Sequence, residues 1–228
     1  MKLKEHARNL IALYQPKSPI AEAFRTLRTN IQFAGVSKDL RTMMVTSSGP
    51  GEGKSTTIAN LAIVSAQAGK KVLLIDADLR KPTVHRTFNV SNRTGLTNML
   101  IGQAEYGDCI RETGQIRLDV ISSGPIPPNP AELLGSQRMK DLLEQLKEHY
   151  DMIYIDTPPI LAVTDAQLLA SHVDGVVLVL SAGKVLRDHA KKAKALLNNV
   201  GANVVGAVLN NKKVESESYY YYYYGEDN

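Results

Sequence analysis

Val45-Thr-Ser-Ser48-Gly49-Pro-Gly51-Glu52-Gly53-Lys54-Ser55-Thr56 joins an apolar run to a segment of helical periodicity, and its reading decides the fold. Small residues let successive backbone N–H groups turn toward an anion, and a helix that starts where the loop ends adds its positive dipole. A lysine at that point spans the outer phosphates of a nucleotide, and the next hydroxyl reaches a magnesium ion. Gly49, Gly51, Gly53, Lys54, Ser55 and Thr56 supply these parts, so the stretch reads as a phosphate-binding loop. The strict pattern G-x-x-x-x-G-K-[ST] places glycine at 48, where this chain has Ser48, also a compact residue.

Working outward from the loop, apolar runs rich in β-formers recur at 42–46, 71–76, 118–122, 152–156, 175–181 and 204–209. Most are nearly continuous hydrophobics, the pattern of strands buried on both faces. Between them, 54–69, 131–149, 164–171 and 187–200 have the length and periodicity of helices. The alternation predicts an α/β fold, a doubly wound and mostly parallel sheet. Ahead of it, 18–33 places Ile20, Phe24, Leu27 and Ile31 on one stripe of a separate N-terminal helix. Three regions are expected: 1–40 with that helix, a nucleotide-binding domain over 41–212, and a flexible acidic tail over 213–228.

Two of the runs end in acids: Leu73-Leu-Ile-Asp76-Ala-Asp78 and Ile153-Tyr-Ile-Asp156. In a parallel sheet all carboxyl ends share the edge that carries the phosphate loop, where ligands bind. Asp76, Asp78 and Asp156 are therefore expected to converge on a magnesium nucleotide, since magnesium takes hard oxygen ligands and keeps several waters. A lone strand-end aspartate is equally a helix cap or turn former. Three at apolar strand ends favour a site.

The composition, 43% hydrophobic and 22% charged, is that of an ordinary globular protein, and 228 residues fit one α/β domain with an appendage. Cys109, the single cysteine, leaves no intrachain disulfide, and no Cys/His cluster has ligand spacing. The N-terminus lacks the apolar core of a signal peptide, and no stretch has the ~18 apolar residues of a membrane span. A cytosolic chain is expected. The net charge of +4 divides unevenly: the last fourteen residues carry four acids and no Lys or Arg, which leaves 27 cations against 19 acids in the body. No nucleic-acid-recognition motif accompanies that basic body, and no nucleic-acid partner is expected.

The acidic tail also holds Tyr219, Tyr220, Tyr221, Tyr222, Tyr223 and Tyr224, against four tyrosines in the rest of the chain. Six adjacent rings cannot all enter one core. The run reads as an edge strand, as a sticky end or as a set of exposed phenolic acceptors. A phosphate loop elsewhere in the same chain favours the third.

The loop 49–56, the stretch Leu74-Ile-Asp-Ala-Asp-Leu-Arg-Lys-Pro82 and the stretch Ile153-Tyr-Ile-Asp-Thr-Pro-Pro159 resemble the Walker A, Walker A′ and Walker B motifs of the bacterial protein-tyrosine kinases. Glu22-x-x-Arg25-x-x-Arg28 resembles their oligomerisation motif, and the tail resembles their C-terminal tyrosine cluster. The resemblance implies a P-loop NTPase fold of the deviant Walker A, MinD-like type. It implies ATP and Mg2+ as cofactors, with Gly49, Gly51, Glu52, Gly53, Lys54, Ser55, Thr56 and Asn210 around the nucleotide. Ser55, Asp76 and Asp156 would serve the metal, and Asp76 or Asp78 would take the phenolic proton.

It further implies autophosphorylation of residues 219–224 within a ring-like homo-oligomer and control of capsular or extracellular polysaccharide synthesis. The expected partners are a membrane-protein activator with a cytoplasmic segment, which recruits the kinase to the inner face of the membrane, substrates such as sugar-nucleotide enzymes, and a cognate tyrosine phosphatase. The rival reading is an ATPase switch similar to MinD and ParA. Those proteins have a signature lysine at the position of Gly49, and its absence here, with the tyrosine tail, favours the kinase.

Overall fold

Seven strands form one sheet in a computed structural model that describes residues 10–35, 39–115 and 117–212. They are β1 (Thr42–Ser47), β2 (Val72–Asp76), β3 (Ile110–Glu112), β4 (Leu118–Ile121), β5 (Met152–Asp156), β6 (Gly175–Ser181) and β7 (Val204–Asn210), in the order β3-β4-β2-β5-β1-β6-β7. All pair in parallel except β3, which lies antiparallel to β4 at the sheet edge. The six expected runs are all strands. β3 has only three residues on an irregular segment, too short for a period-2 signal to show.

Among the described residues ten helices flank the sheet: α1 (Ile11–Tyr14), α2 (Pro19–Ala34), α3 (Lys54–Gln67), α4 (Val84–Thr87), α5 (Leu96–Leu100), α6 (Tyr106–Cys109), α7 (Pro130–Leu134), α8 (Gln137–Lys147), α9 (Asp165–Ala170) and α10 (Arg187–Asn199). The continuous helix expected over 131–149 is two, α7 and α8. The break falls at Gly135-Ser136, where the Ser136 hydroxyl caps α8 by accepting the Met139 N–H at 3.2 Å.

The strand runs are apolar throughout because both faces are covered. Met43, Val45, Val72, Leu74, Tyr154, Val177 and Val179 pack on one face with Ile58, Leu61 and Ala62 of α3. Met44, Leu73, Ile75, Ile153, Ile155 and Leu178 pack on the other, against Leu142, Leu143, Leu169 and Leu197 of α8, α9 and α10. Successive residues point to opposite faces, so each strand feeds both layers.

The N-terminal helix α2 docks on α3. Ile31 is buried, Phe24 and Leu27 are half-buried, and Ala12 N–H, just ahead of it, donates to Asn60 Oδ1 of α3 at 2.9 Å. Ile20, expected on the same stripe, is 54% exposed while its neighbour Ala21 is fully buried, so the covered side of the first turn runs through Ala21 and not Ile20.

At the edge away from the phosphate loop, Asp174 ties β1 to β6. Its Oδ2 accepts from Thr42 N–H at 2.7 Å, the Thr42 hydroxyl at 2.8 Å and Arg41 N–H at 3.0 Å, and its Oδ1 faces Lys147 Nζ at 3.2 Å. Burial pushes this carboxyl up, but the Thr42 donors and Lys147 outweigh it and hold it below the ordinary value. A depressed pKa contributes stability above about pH 4 that disappears as pH falls. Asp174→Ala should cost about 2 kcal/mol at pH 7, and denaturant titration should show the difference from wild type shrinking toward pH 3.

Candidate functional site

The carboxyl ends of β1, β2 and β5 bring the expected site residues to one edge. After β1 the chain turns through residues 48–53 into α3, with Gly51 at φ 71° and Gly53 at φ 93°, left-handed conformations that glycine adopts without a steric cost. Gly53 is required twice over, because a Cβ there would lie 2.0 Å from Asn210 Nδ2. Ser48 has a specific use. Its hydroxyl donates to Glu52 Oε1 at 2.6 Å, Gly49 N–H donates to the same oxygen, and the buried Glu52 carboxylate thus closes the loop on itself. The serine that breaks the strict motif is part of a brace across the loop.

Lys54 heads α3, with its ammonium 3.1 Å from Asp78 Oδ2, 3.4 Å from Asp156 Oδ1 and 3.1 Å from Ser55 Oγ. Burial works against its charge, but Asp156 and Asp78 outweigh it, and Lys54 is held protonated above its ordinary pKa. Asp156 and Asp76 are both fully buried. Burial pushes Asp156 up despite Lys54 and the Ser55 hydroxyl. Asp76 is pushed up to about 7 by burial and by the facing Asp156 charge. The Asp76 oxygens are engaged: Oδ2 accepts from Thr83 N–H at 3.0 Å and Val84 N–H at 2.9 Å, and Oδ1 from Asp78 N–H at 3.3 Å. Asp78 lies nearer the opening, with Oδ1 accepting Lys81 N–H at 3.0 Å and Oδ2 on the lysine.

This donor set fits a magnesium nucleotide. Asp156 Oδ2 is buried with no hydrogen-bond partner among the described residues, beside a hydroxyl and an ammonium. Such an acceptor is costly unless a cation or a metal-bound water meets it. No group of three or more His, Cys, Asp or Glu forms a cage among the described residues. A magnesium ion held by Ser55, Asp156, waters and phosphates needs none.

Asn210, expected beside the nucleotide base, ends β7 and donates through Nδ2 to the Glu52 carbonyl at 3.0 Å, so it touches the loop backbone. Glu22, Arg25 and Arg28 are engaged within the chain. Arg25 Nη1 pairs with Glu22 Oε2 at 2.7 Å, Arg25 Nη2 donates to the Pro16 carbonyl at 2.7 Å, and Arg28 Nη1 turns inward to the Val64 carbonyl at 3.0 Å. Tyr219–224 lie outside the described residues.

Two residues escaped the sequence reading. Lys184, on the turn after β6, donates from Nζ to the Pro50 and Gly51 carbonyls at 3.2 Å each. Asp165, fully buried at the start of α9, holds the Arg80 guanidinium through two 2.9 Å bonds. Neither sits in a motif. The available signals were a lysine on a turn at a strand's carboxyl end and an aspartate where a helix begins.

A carboxyl whose folded-state pKa lies above its unfolded value binds more protons when folded, so stability falls as pH rises between the two values. For Asp76 that window runs from about 4 to about 7. Asp76→Asn removes the cost. Without nucleotide or magnesium, its melting temperature should exceed that of wild type by at least about 3 °C at pH 8 and by much less at pH 5. A pH-independent difference would refute the burial account.

A family model described as an AAA domain matches residues 40–200. The tyrosine-protein kinase YwqD of Bacillus subtilis is 52% identical over 221 residues, 97% of this chain and 93% of that protein. The putative tyrosine-protein kinase CapB of Staphylococcus aureus is 47% identical, over 93% of each. Among solved structures, the chimerical protein CapA2B2 superposes with a TM-score of 0.87 at 45% identity over 91% of both chains. MinD from Pyrococcus horikoshii, bound to Mg-ADP, reaches 0.65 at 22% identity over 79% of this chain and 76% of its own, and so shares the fold. Nucleotide loop, acidic strand ends and relatives agree: the chain belongs to the AAA-domain P-loop proteins and, within them, to the bacterial protein-tyrosine kinases.

Proposed function

We propose that this kinase transfers the γ-phosphoryl group of ATP to its own C-terminal tyrosines, Tyr219–224, in trans within a ring-like homo-oligomer. The observation that carries the reading is where the tail starts. β7 ends at Asn210, whose amide touches Glu52 of the phosphate loop, and the six tyrosines begin nine residues later. That length, at ~3.3 Å per extended residue, reaches a neighbour's site as readily as its own.

Phosphoryl transfer asks mainly for in-line positioning and charge compensation. The loop N–H groups and Lys54 hold the outer phosphates, for which the ammonium exchanges its contacts with Asp78 and Asp156. Ser55 and Asp156 would hold Mg2+, which would supply neutralisation of developing phosphate charge. Asp78 takes the phenolic proton: it lies against the lysine and nearer the opening, whereas backbone donors occupy Asp76. Asp76 instead orders the turn at 83–84 through its bonds to the Thr83 and Val84 N–H groups. Glu22, Arg25 and Arg28 serve the oligomer by exchanging intrachain partners for those of a neighbour.

The resemblance of the motif set to the bacterial protein-tyrosine kinases supports a role in capsular or extracellular polysaccharide synthesis. No described helix is long and apolar enough to cross a membrane. A membrane-protein activator with a cytoplasmic segment would therefore bring the kinase to the inner face of the membrane, with sugar-nucleotide enzymes as further substrates and a tyrosine phosphatase reversing the modification.

Mass spectrometry after incubation with Mg-ATP tests the reading. Phosphate on residues 219–224 is expected, and ATP hydrolysis without phosphotyrosine would instead indicate a MinD-like switch. Lys54→Met should abolish phosphotyrosine while leaving a cooperative melt, and Asp78→Asn should lower kcat about 100-fold or more. Changing all six tail tyrosines to Phe should remove self-labelling and spare an added tyrosine substrate. Persistent self-labelling would point to Tyr14, 53% exposed, or to the half-buried Tyr106, since Tyr150 and Tyr154 are buried.

A further inference from the structure

Beside the catalytic carboxylates lies a second cavity, of about 580 Å3, walled by Arg80, Lys81, Thr83, His85 and Arg86 on one side and by Pro125 and Ile126 of the 123–130 loop on the other. No Asp or Glu lines it. Its wall is continuous with the site: Lys81 N–H donates to Asp78 Oδ1, and Thr83 N–H donates to Asp76 Oδ2. Arg80 is tied to Asp165, but Lys81 and Arg86 have no carboxylate within ion-pair distance among the described residues. Ile126, 65% exposed, offers an apolar surface beside these cations. Cations without carboxylate partners and an exposed apolar side chain together suit an aromatic ring that ends in a dianion.

We infer that this cavity binds a phosphotyrosine already formed in the tyrosine run and so presents the next tyrosine to Asp78. The inference rests on the proposal that the tail is the acceptor. A phosphotyrosine carries about −1.5 to −2 charges at neutral pH, whereas tyrosine carries none, so the cavity prefers a tail modified once. In an extended segment, alternate side chains stand about 7 Å apart on one side. A ring seated against Lys81 thus leaves a neighbouring ring at the carboxylate that Lys81 N–H touches. In each further round the phenolic oxygen bonds to the γ-phosphorus, the bond from that phosphorus to ADP breaks, and the phenolic proton passes to Asp78. Six consecutive tyrosines give such a reader a new acceptor after every transfer.

Calorimetry on the full chain with Tyr219–224 changed to Phe, without ATP, tests the site apart from catalysis. The probes are a peptide of residues 215–228 bearing one phosphotyrosine, the same peptide unmodified, and inorganic phosphate. The modified peptide should bind about tenfold or more tighter than the unmodified one, and Arg86→Gln should remove most of that gap. Equal affinities, inorganic phosphate binding as tightly as the modified peptide, or a gap unchanged in Arg86→Gln would each overturn the inference. With Mg-ATP, intact-mass spectra of the wild type should pass from unmodified to multiply modified chains with few singly modified ones, and Arg86→Gln should accumulate the single form. Similar accumulation in both proteins would also overturn it. A wild type that never labels its tail defeats the acceptor reading instead, and the calorimetry still reports on the cavity.

Discussion

The Lys54 ammonium, within 3.4 Å of both Asp78 and Asp156, is the contact on which the nucleotide edge depends. The parallel sheet leaves little choice about where the acids go. With β2, β5 and β1 adjacent and all running one way, Asp76 and Asp156 become register partners at the same edge. Two buried carboxylates face to face repel each other, and burial has already removed the water that would screen them. One cation on the first turn of α3 offsets much of that cost, and Asp76 meets the rest by retaining a proton up to about pH 7. A nucleotide that draws the lysine away must bring a replacement charge, and the Asp156 oxygen that lacks a partner among the described residues marks where a metal-bound water would do so.

Support for the phosphate loop comes from outside the motif. Glu52 folds back to accept from Ser48 and Gly49, Asn210 holds the Glu52 carbonyl, and Lys184 spans the next two carbonyls upstream. Each contact satisfies a loop polar group that would otherwise compete for phosphate or solvent. The loop is thereby shaped before any anion arrives, which reduces the ordering cost of binding.

Much of this was legible in the sequence because it is periodic or local. The strand runs announce themselves by being apolar on both faces, and the loop and acids by their place at strand ends. What remained hidden depended on contacts across the sequence or on very short segments. β3 is three residues long. The break between α7 and α8 turns on the Ser136 cap, a one-residue event inside an otherwise helical pattern. Ile20 fits the α2 stripe, yet in the first turn it is Ala21 that is buried. Asp165 and Lys184 carry no pattern at all, because their partners lie 85 and more than 130 residues away. Arg28 stands in the sequence only as part of a stretch that resembles an oligomerisation motif, whereas its contact with Val64 O depends on how closely α2 approaches α3.

Asn210 is both the last residue of β7 and a brace of the phosphate loop. The chain that leads to the tyrosines thus departs from a residue bonded to the phosphate loop. Anything that pulls on the tail, including its capture by a neighbouring subunit, loads the bond to Glu52 and through it the geometry of the loop. Such coupling runs both ways: whatever tail capture does to nucleotide affinity, nucleotide binding does to tail affinity by the same factor. A ring of such subunits would carry information about which sites are filled in its covalent thread as well as in its interfaces.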